Sequence, residues 1–227
     1  MKQITNLLSI VLIITALNFT TSCNKTNTNS KWRSEIRLDT LSMKDSAANC
    51  EVLIVTPVCN IPEFDTCVKN ELLKQKDQFI ENLLKPKFSP DETHPPFISS
   101  FMASPSSIYS DRKIVSYSFT VFNYMAGAAH PMTYYYSFNF DKKKKTKIGF
   151  NDCFRLTSKT DTTALLDIIN KAINRKGVSL DSIYELDFNF IKDTISFNFD
   201  CYEVACYAEG IIQGKVAVKD LKPFLKK

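Results

Sequence analysis

Two runs of strict alternation constrain this chain most. Val115, Tyr117, Phe119 and Val121 alternate with Ser116, Ser118 and Thr120. Tyr134, Tyr136, Phe138 and Phe140 alternate with Tyr135, Ser137 and Asn139. A period of two sends successive side chains to opposite faces, so each run predicts a long strand with one greasy face. Further strands are expected around Ile36 and Leu38, over Glu51 to Val58 with Pro57 at its end or edge, and over Ile211 to Val218. Phe188 and Phe190, then Ile195, Phe197 and Phe199, predict a hairpin turning at Lys192-Asp193.

Helices have a different period. Asp65 is expected to cap a helix to about Lys85, with Val68, Leu72, Leu73, Phe79, Ile80, Leu83 and Leu84 on one stripe and Pro86 stopping it. Asp161 is expected to cap a second, with Leu165, Ile169, Ala172 and Ile173 inward and an end near Gly177. A short last helix carries Leu221, Phe224 and Leu225. Strands interrupted by two main helices, without βαβ alternation, predict an α+β fold with antiparallel sheets. The four prolines and His94 between Pro86 and Pro96 mark the expected boundary between a small α+β domain, 31–96, and a larger one, 97–227.

The first residues fix location. A short start with Lys2 leads into the apolar run Leu7–Leu17, then Thr20-Thr21-Ser22-Cys23. That run is about eleven residues, where a membrane-spanning helix takes about twenty. It predicts a cleaved lipoprotein signal, 1–22, with lipid on Cys23 and a polar tether over 23–30. The expected location is the bacterial cell envelope, with the domain facing the periplasm or exterior. The full chain has 17 Phe, 9 Tyr and only 5 Gly, and all but Phe19 of these lie beyond the expected signal, enough apolar bulk for a folded core. Its net charge is about +4 once Lys2 is removed, too mild to argue for nucleic acid.

In an exported chain, Cys50, Cys59, Cys67, Cys153, Cys201 and Cys206 favour disulfides, and Cys201 and Cys206 are close enough to staple one loop. No Cys-x-x-Cys exists, and His94 and His130 are the only histidines, so neither metal nor cofactor is expected. No nucleophile elbow, phosphate loop or dinucleotide fingerprint is present. Asp152, Asp187, Asp200 and Glu203 could meet in space, yet spacing singles out no catalytic pair. The lysines of Asp141-Lys142-Lys143-Lys144-Lys145 read as a solvated hairpin tip. Two tyrosine-bearing loops, 124–131 and 201–210, suit an interface, which makes Tyr124, His130, Tyr202, Glu203 and Tyr207 the candidate binding residues.

Those loops also carry a resemblance. Tyr124, then Gly127-Ala128-Ala129-His130-Pro131, Asn139-Phe140-Asp141 and Asp152-Cys153-Phe154 form one block; Tyr202-Glu203-Val204-Ala205-Cys206-Tyr207-Ala208-Glu209-Gly210 forms the other. Together they resemble the paired extracytoplasmic domains of unknown function in the lysozyme-sensing anti-sigma-V factor. The same pair precedes the catalytic domain of a peptidoglycan N-acetylmuramic acid deacetylase. The resemblance extends over about 31–227. It implies a binding module, with lysozyme or peptidoglycan as partner and the membrane reached through the lipid. The few residues before the apolar run and the end at Lys227 lead us to expect neither sigma-factor signalling nor a deacetylase domain. Where the family often has prolines, this chain has Cys201 and Cys206, and a local disulfide there would replace their stiffness.

The expected function is thus envelope binding without catalysis. The alternatives are a cell-wall hydrolase or deacetylase-like enzyme using a carboxylate pair with His130, and a purely structural lipoprotein. Lysozyme is strongly basic, so binding it would require a local acidic patch such as Asp200, Glu203 and Glu209.

Overall fold

The greasy faces of the alternating runs are covered by a helix. The computed structural model describes residues 36–85, 97–176, 178 and 183–226, all within one compact unit, Ser34–Lys227. The expected signal, Cys23, the tether, His94, Pro86 and Gly177 lie outside the described residues.

Six strands form the larger sheet, in the order β1 (Arg37–Asp45), β2 (Cys50–Val58), β3 (Ser99–Ser110), β4 (Ile114–Tyr124), β5 (Met132–Asp141) and β6 (Thr146–Lys147). All neighbours are antiparallel except β2 and β3, which run parallel. Parallel neighbours need a long crossover, and α1 (Pro62–Leu84) lies within it. One expectation is corrected here: the sheet is mixed rather than wholly antiparallel. The pairing of Cys50–Ile54 with Ser99–Ala103 joins residues from either side of the expected boundary at 96/97. Pro57 pairs only toward β1, beyond the last β3 partner, so its missing N–H costs no ladder bond there.

α1 begins three residues before Asp65, because Pro62 suits the first helical position. Asp65 instead reaches back to accept the N–H groups of Cys59 and Ile61, both at 3.1 Å. Phe64, Val68, Leu72 and Phe79 fill the core against Val115, Tyr117, Phe119, Val121, Phe138 and Phe140, whereas Leu84 is exposed.

The smaller sheet is β7 (Asp187–Ile191), β8 (Thr194–Phe199) and β9 (Ile212–Ala217). Its apolar face, Phe188, Ile195, Phe197, Phe199 and Val216, packs in a second core with Leu165, Leu166 and Ile169 of α3 (Lys159–Ala172). Two short helices, α2 (Phe150–Cys153) and α4 (Val218–Leu221), add Phe150 and Leu221 to it. Ser158, not Asp161, is the N-cap of α3; Asp161 closes a capping box by accepting from the Ser158 N–H at 3.0 Å. Gly214 of β9 lies so close to α3 that a Cβ would stand 2.7 Å from Ile173 Cγ2. Gly214→Ala should therefore cost about 1–3 kcal/mol through overpacking, seen as a lower urea midpoint with an unchanged slope.

The polar faces of both sheets are also covered. Ser116, Ser118, Asn139, Asn189, Ser196 and Asn198 are all buried. The Ser116 hydroxyl donates to Asn139 Oδ1 (2.6 Å) and accepts from the Phe190 N–H (2.8 Å), while Asn139 Nδ2 donates to the Phe188 carbonyl (2.7 Å). Asn189 and Asn198 donate to the hydroxyls of Ser107 (2.7 Å) and Ser137 (3.0 Å). The sheets thus meet through a hydrogen-bonded polar layer, with a greasy core on the far side of each.

Candidate functional site

At one end of this layer β5 becomes an edge, since β6 pairs only with its last two residues. Exposed edge N–H groups invite pairing with other chains. Here two carboxylates occupy them: Asp200 accepts the Tyr135 N–H (2.6 Å) and Asp187 accepts the Ser137 N–H (3.0 Å). Asn198 Nδ2 lies 3.3 Å from the second Asp187 oxygen. The hairpin explains the placement. Asp187 pairs with Asn198 across it, so Asp200, two residues on, stands at the same end.

Asp200 also opens a tight turn. Its carbonyl accepts the Glu203 N–H (3.2 Å), and Glu203 Oε2 accepts the Asp200 N–H (2.9 Å). Tyr202 takes a positive φ of 71° at the third position of this turn, where glycine is usual. Its side chain is 56% exposed.

A cleft of about 220 Å³ lies here, lined by Tyr135, Glu185, Asp187, Asn198, Asp200 and Glu203. Four carboxylates and no cationic side chain line it. Burial, reinforced by the Glu203 charge, pushes the Asp187 carboxyl up despite its hydrogen bonds. Burial, with the Glu203 and Asp187 charges, lifts Asp200 to about 6 against the pull of the Tyr135 N–H. Burial and the two aspartates raise the Tyr135 hydroxyl to about 12.

Beside the turn stands an aromatic cluster. His130 stacks on Tyr207 with centroids 3.8 Å apart, and Tyr202 lies 5.8 Å from Tyr207. Both imidazole nitrogens are engaged, Nδ1 with the Pro131 carbonyl (3.0 Å) and Nε2 with the Tyr202 hydroxyl (3.3 Å). Of the candidate binding residues, His130, Tyr202 and Tyr207 thus come together, and Glu203 joins them through the turn. Tyr124 ends β4 opposite Ser100, with no ring contact to the cluster among the described residues. Glu209 pairs with Arg175 and is not part of the cleft lining. Asp152 is likewise elsewhere, accepting the Gly149 N–H at 2.8 Å.

The expected Cys201–Cys206 disulfide is not formed. All six cysteines in the described residues are free thiols. Cys201 is buried, and exposed Cys206 faces Glu209 at 3.7 Å. Hydrogen bonds of the Asp200–Glu203 turn hold the loop instead. Among the described residues no group of three His, Cys, Asp or Glu could hold a metal ion, and no helix is long and apolar enough to cross a membrane.

Tyr135 and Glu185 escaped the sequence reading. Tyr135 sits on the polar side of an alternating run, and nothing local shows that this side is enclosed.

The fold and cleft define a class: a mixed, antiparallel-rich two-sheet domain with an acidic pocket at the edge of its larger sheet. No protein-family model matches the sequence, and neither does any curated protein. Among solved structures, the chain is similar to a DUF3298 family protein from Pseudomonas aeruginosa (14% identity, 84% of this chain and 94% of that one, TM-score 0.58). It is also similar to a DUF3298 family member from Bacteroides fragilis (15% identity, 86% and 95%, TM-score 0.54). These likenesses show a shared fold with proteins of a domain of unknown function.

Proposed function

We propose that this protein is a lipid-anchored, non-catalytic binding module of the bacterial cell envelope, and that its cleft face holds a basic protein ligand, lysozyme being the first candidate. The supporting observation is the cleft itself: four carboxylates stand together with no lining cation. A mildly basic chain can then attract a basic partner locally, because charges lining a concave site dominate the field there. Exposed Tyr202 beside Tyr207 supplies the aromatic surface that interfaces favour. Anchoring through Cys23 rests on the signal-like sequence alone.

Calorimetry of residues 24–227 against c-type lysozyme tests this at two salt concentrations. Binding at about micromolar Kd, weaker at the higher salt because exposed charges are screened, is the expected result. No binding at either salt removes lysozyme and leaves peptidoglycan as the ligand to test.

A second reading, a cell-wall hydrolase, is favoured by one feature. Asp200 lifted to about 6 near Glu203 is the environment of a general acid. Its counterweight is that both aspartates already serve backbone N–H groups. Release of soluble fragments from purified cell wall, lost in Glu203→Gln and His130→Ala, would establish the enzyme; no release by the wild type removes it.

A further inference from the structure

We infer that the end of the domain at which the chain enters is a docking surface for anionic lipid headgroups, which turns the acidic cleft away from the membrane. The inference concerns a different surface from the proposed function. Its choice of a bilayer over another polyanion rests on the lipid anchor at Cys23.

Strand register gathers the pieces. β1 begins at Arg37, opposite Val58 at the end of β2. β2 and β3 run parallel, so β3 ends on the same side and leads into the turn 111–113. β4 starts there, opposite the end of β5, and the Lys142 N–H donates to the Lys113 carbonyl at 2.8 Å, joining the β5–β6 turn to the β3–β4 turn. The β7–β8 hairpin points its tip the same way, since Phe190, just before the tip, donates to Ser116 near the start of β4. Three turns thus share one end with the entry of the chain. The cleft lies at the other end, because β8 runs away from the tip and Asp200 follows its last residue.

Charge is concentrated on those turns. Residues 111–113, 141–147 and 192–193 hold eight Lys and Arg side chains against three aspartates. This excess is larger than the about +4 of the whole mature chain, so the basic character of the protein is that of one end. Two of the aspartates are turned onto backbone. Asp111 accepts the N–H groups of Lys113 and Ile114 (both 2.7 Å), and Asp141 those of Lys143 (2.9 Å) and Lys144 (2.8 Å). Lys142 reaches inward to the Ser110 hydroxyl (2.7 Å), and Lys145 pairs with Glu63 (2.7 Å). Arg112, Lys113, Lys143, Lys144 and Lys147 are left exposed, without an ion-pair partner among the described residues. Turn tips make a raised array, and none of the three turns carries an aromatic ring on which a base could stack. Such an array fits a flat field of phosphates. Near an anionic bilayer each Lys or Arg raises partitioning about fivefold, an attraction that fades within a Debye length.

Vesicle sedimentation of residues 24–227, made without lipid and containing the whole compact unit, tests this. Vesicles of phosphatidylcholine with about 30% phosphatidylglycerol should carry the protein down at low salt, and vesicles of phosphatidylcholine alone should not. Salt at about 0.5 M should release it. Lys143→Gln with Lys144→Gln should weaken binding by about tenfold or more, and Arg112→Gln with Lys113→Gln by a similar factor. Lys44→Gln with Lys85→Gln removes two exposed charges at the opposite end and should change it by less than about twofold. No sedimentation with the anionic vesicles, or equal losses in the end-specific and control pairs, overturns the docking surface. Fatty-acid labelling of the full chain against Cys23→Ala tests the anchor separately. If labelling is absent and the vesicles bind, the anchor fails and the docking surface stands. If Cys23 is labelled and the vesicles do not bind, the docking surface fails and the anchor stands.

Discussion

Asn139→Ala should destabilise the protein by about 2–4 kcal/mol, although alternation alone would put residue 139 on a polar face where substitutions cost little. Asn139 joins three strands. Its Oδ1 accepts from Ser116 on β4, and its Nδ2 donates to the Phe188 carbonyl on β7. Alanine would strand that carbonyl in a layer closed to water, and an unpaired buried acceptor loses its hydration without recompense. A void would be added between the sheets. Urea unfolding of wild type, Asn139→Ala, Ser116→Ala and the double mutant measures this. Coupling of at least about 0.5 kcal/mol between the two sites is expected for members of one network. A cost below about 0.5 kcal/mol for Asn139→Ala would mean that the sheets do not meet as described.

Asp200→Asn should do the opposite, stabilising the protein at neutral pH while weakening its attraction for a basic partner. Folded Asp200 holds its proton up to about pH 6, because burial and the Glu203 and Asp187 charges oppose ionisation. In the unfolded chain it releases that proton near pH 3.9. Between those values the folded state binds more protons, so stability rises as pH falls from 7 toward 4 and is lowest above 6. Asp187, shifted in the same direction, adds to this trend. Asparagine keeps an oxygen for the Tyr135 N–H and removes the charge at every pH. The gain at pH 7.5 should be about 1–2 kcal/mol, less than the full shift implies because the side chain still touches water. It should vanish near pH 4. Chemical denaturation at both pH values checks the first half, and the lysozyme calorimetry checks the second. If Asp200→Asn is instead less stable at pH 7.5, the carboxylate is an edge cap and little more.

Much of the fold was legible because local periodicity reports which residues share a face. Val115 to Val121 and Tyr134 to Phe140 form strands, the hairpin turns at Lys192-Asp193, and the stripe of Val68, Leu72 and Phe79 faces the core. The site was half legible. Composition drew the two loops together, and the structure places His130 against Tyr207 and Tyr202. The tertiary structure alone decided the rest. Alternation separates Ser116, Ser118 and Asn139 from their greasy neighbours but cannot say whether water or another polar sheet meets them. The bond that answers this joins Ser116 to Phe190, 74 residues apart. The cleft has the same origin. Its tyrosine lies on the larger sheet and its carboxylates on or just beyond the ends of the β7–β8 hairpin, and they enclose a site only because docking the sheets brings the acidic end of that hairpin to the bare edge of β5.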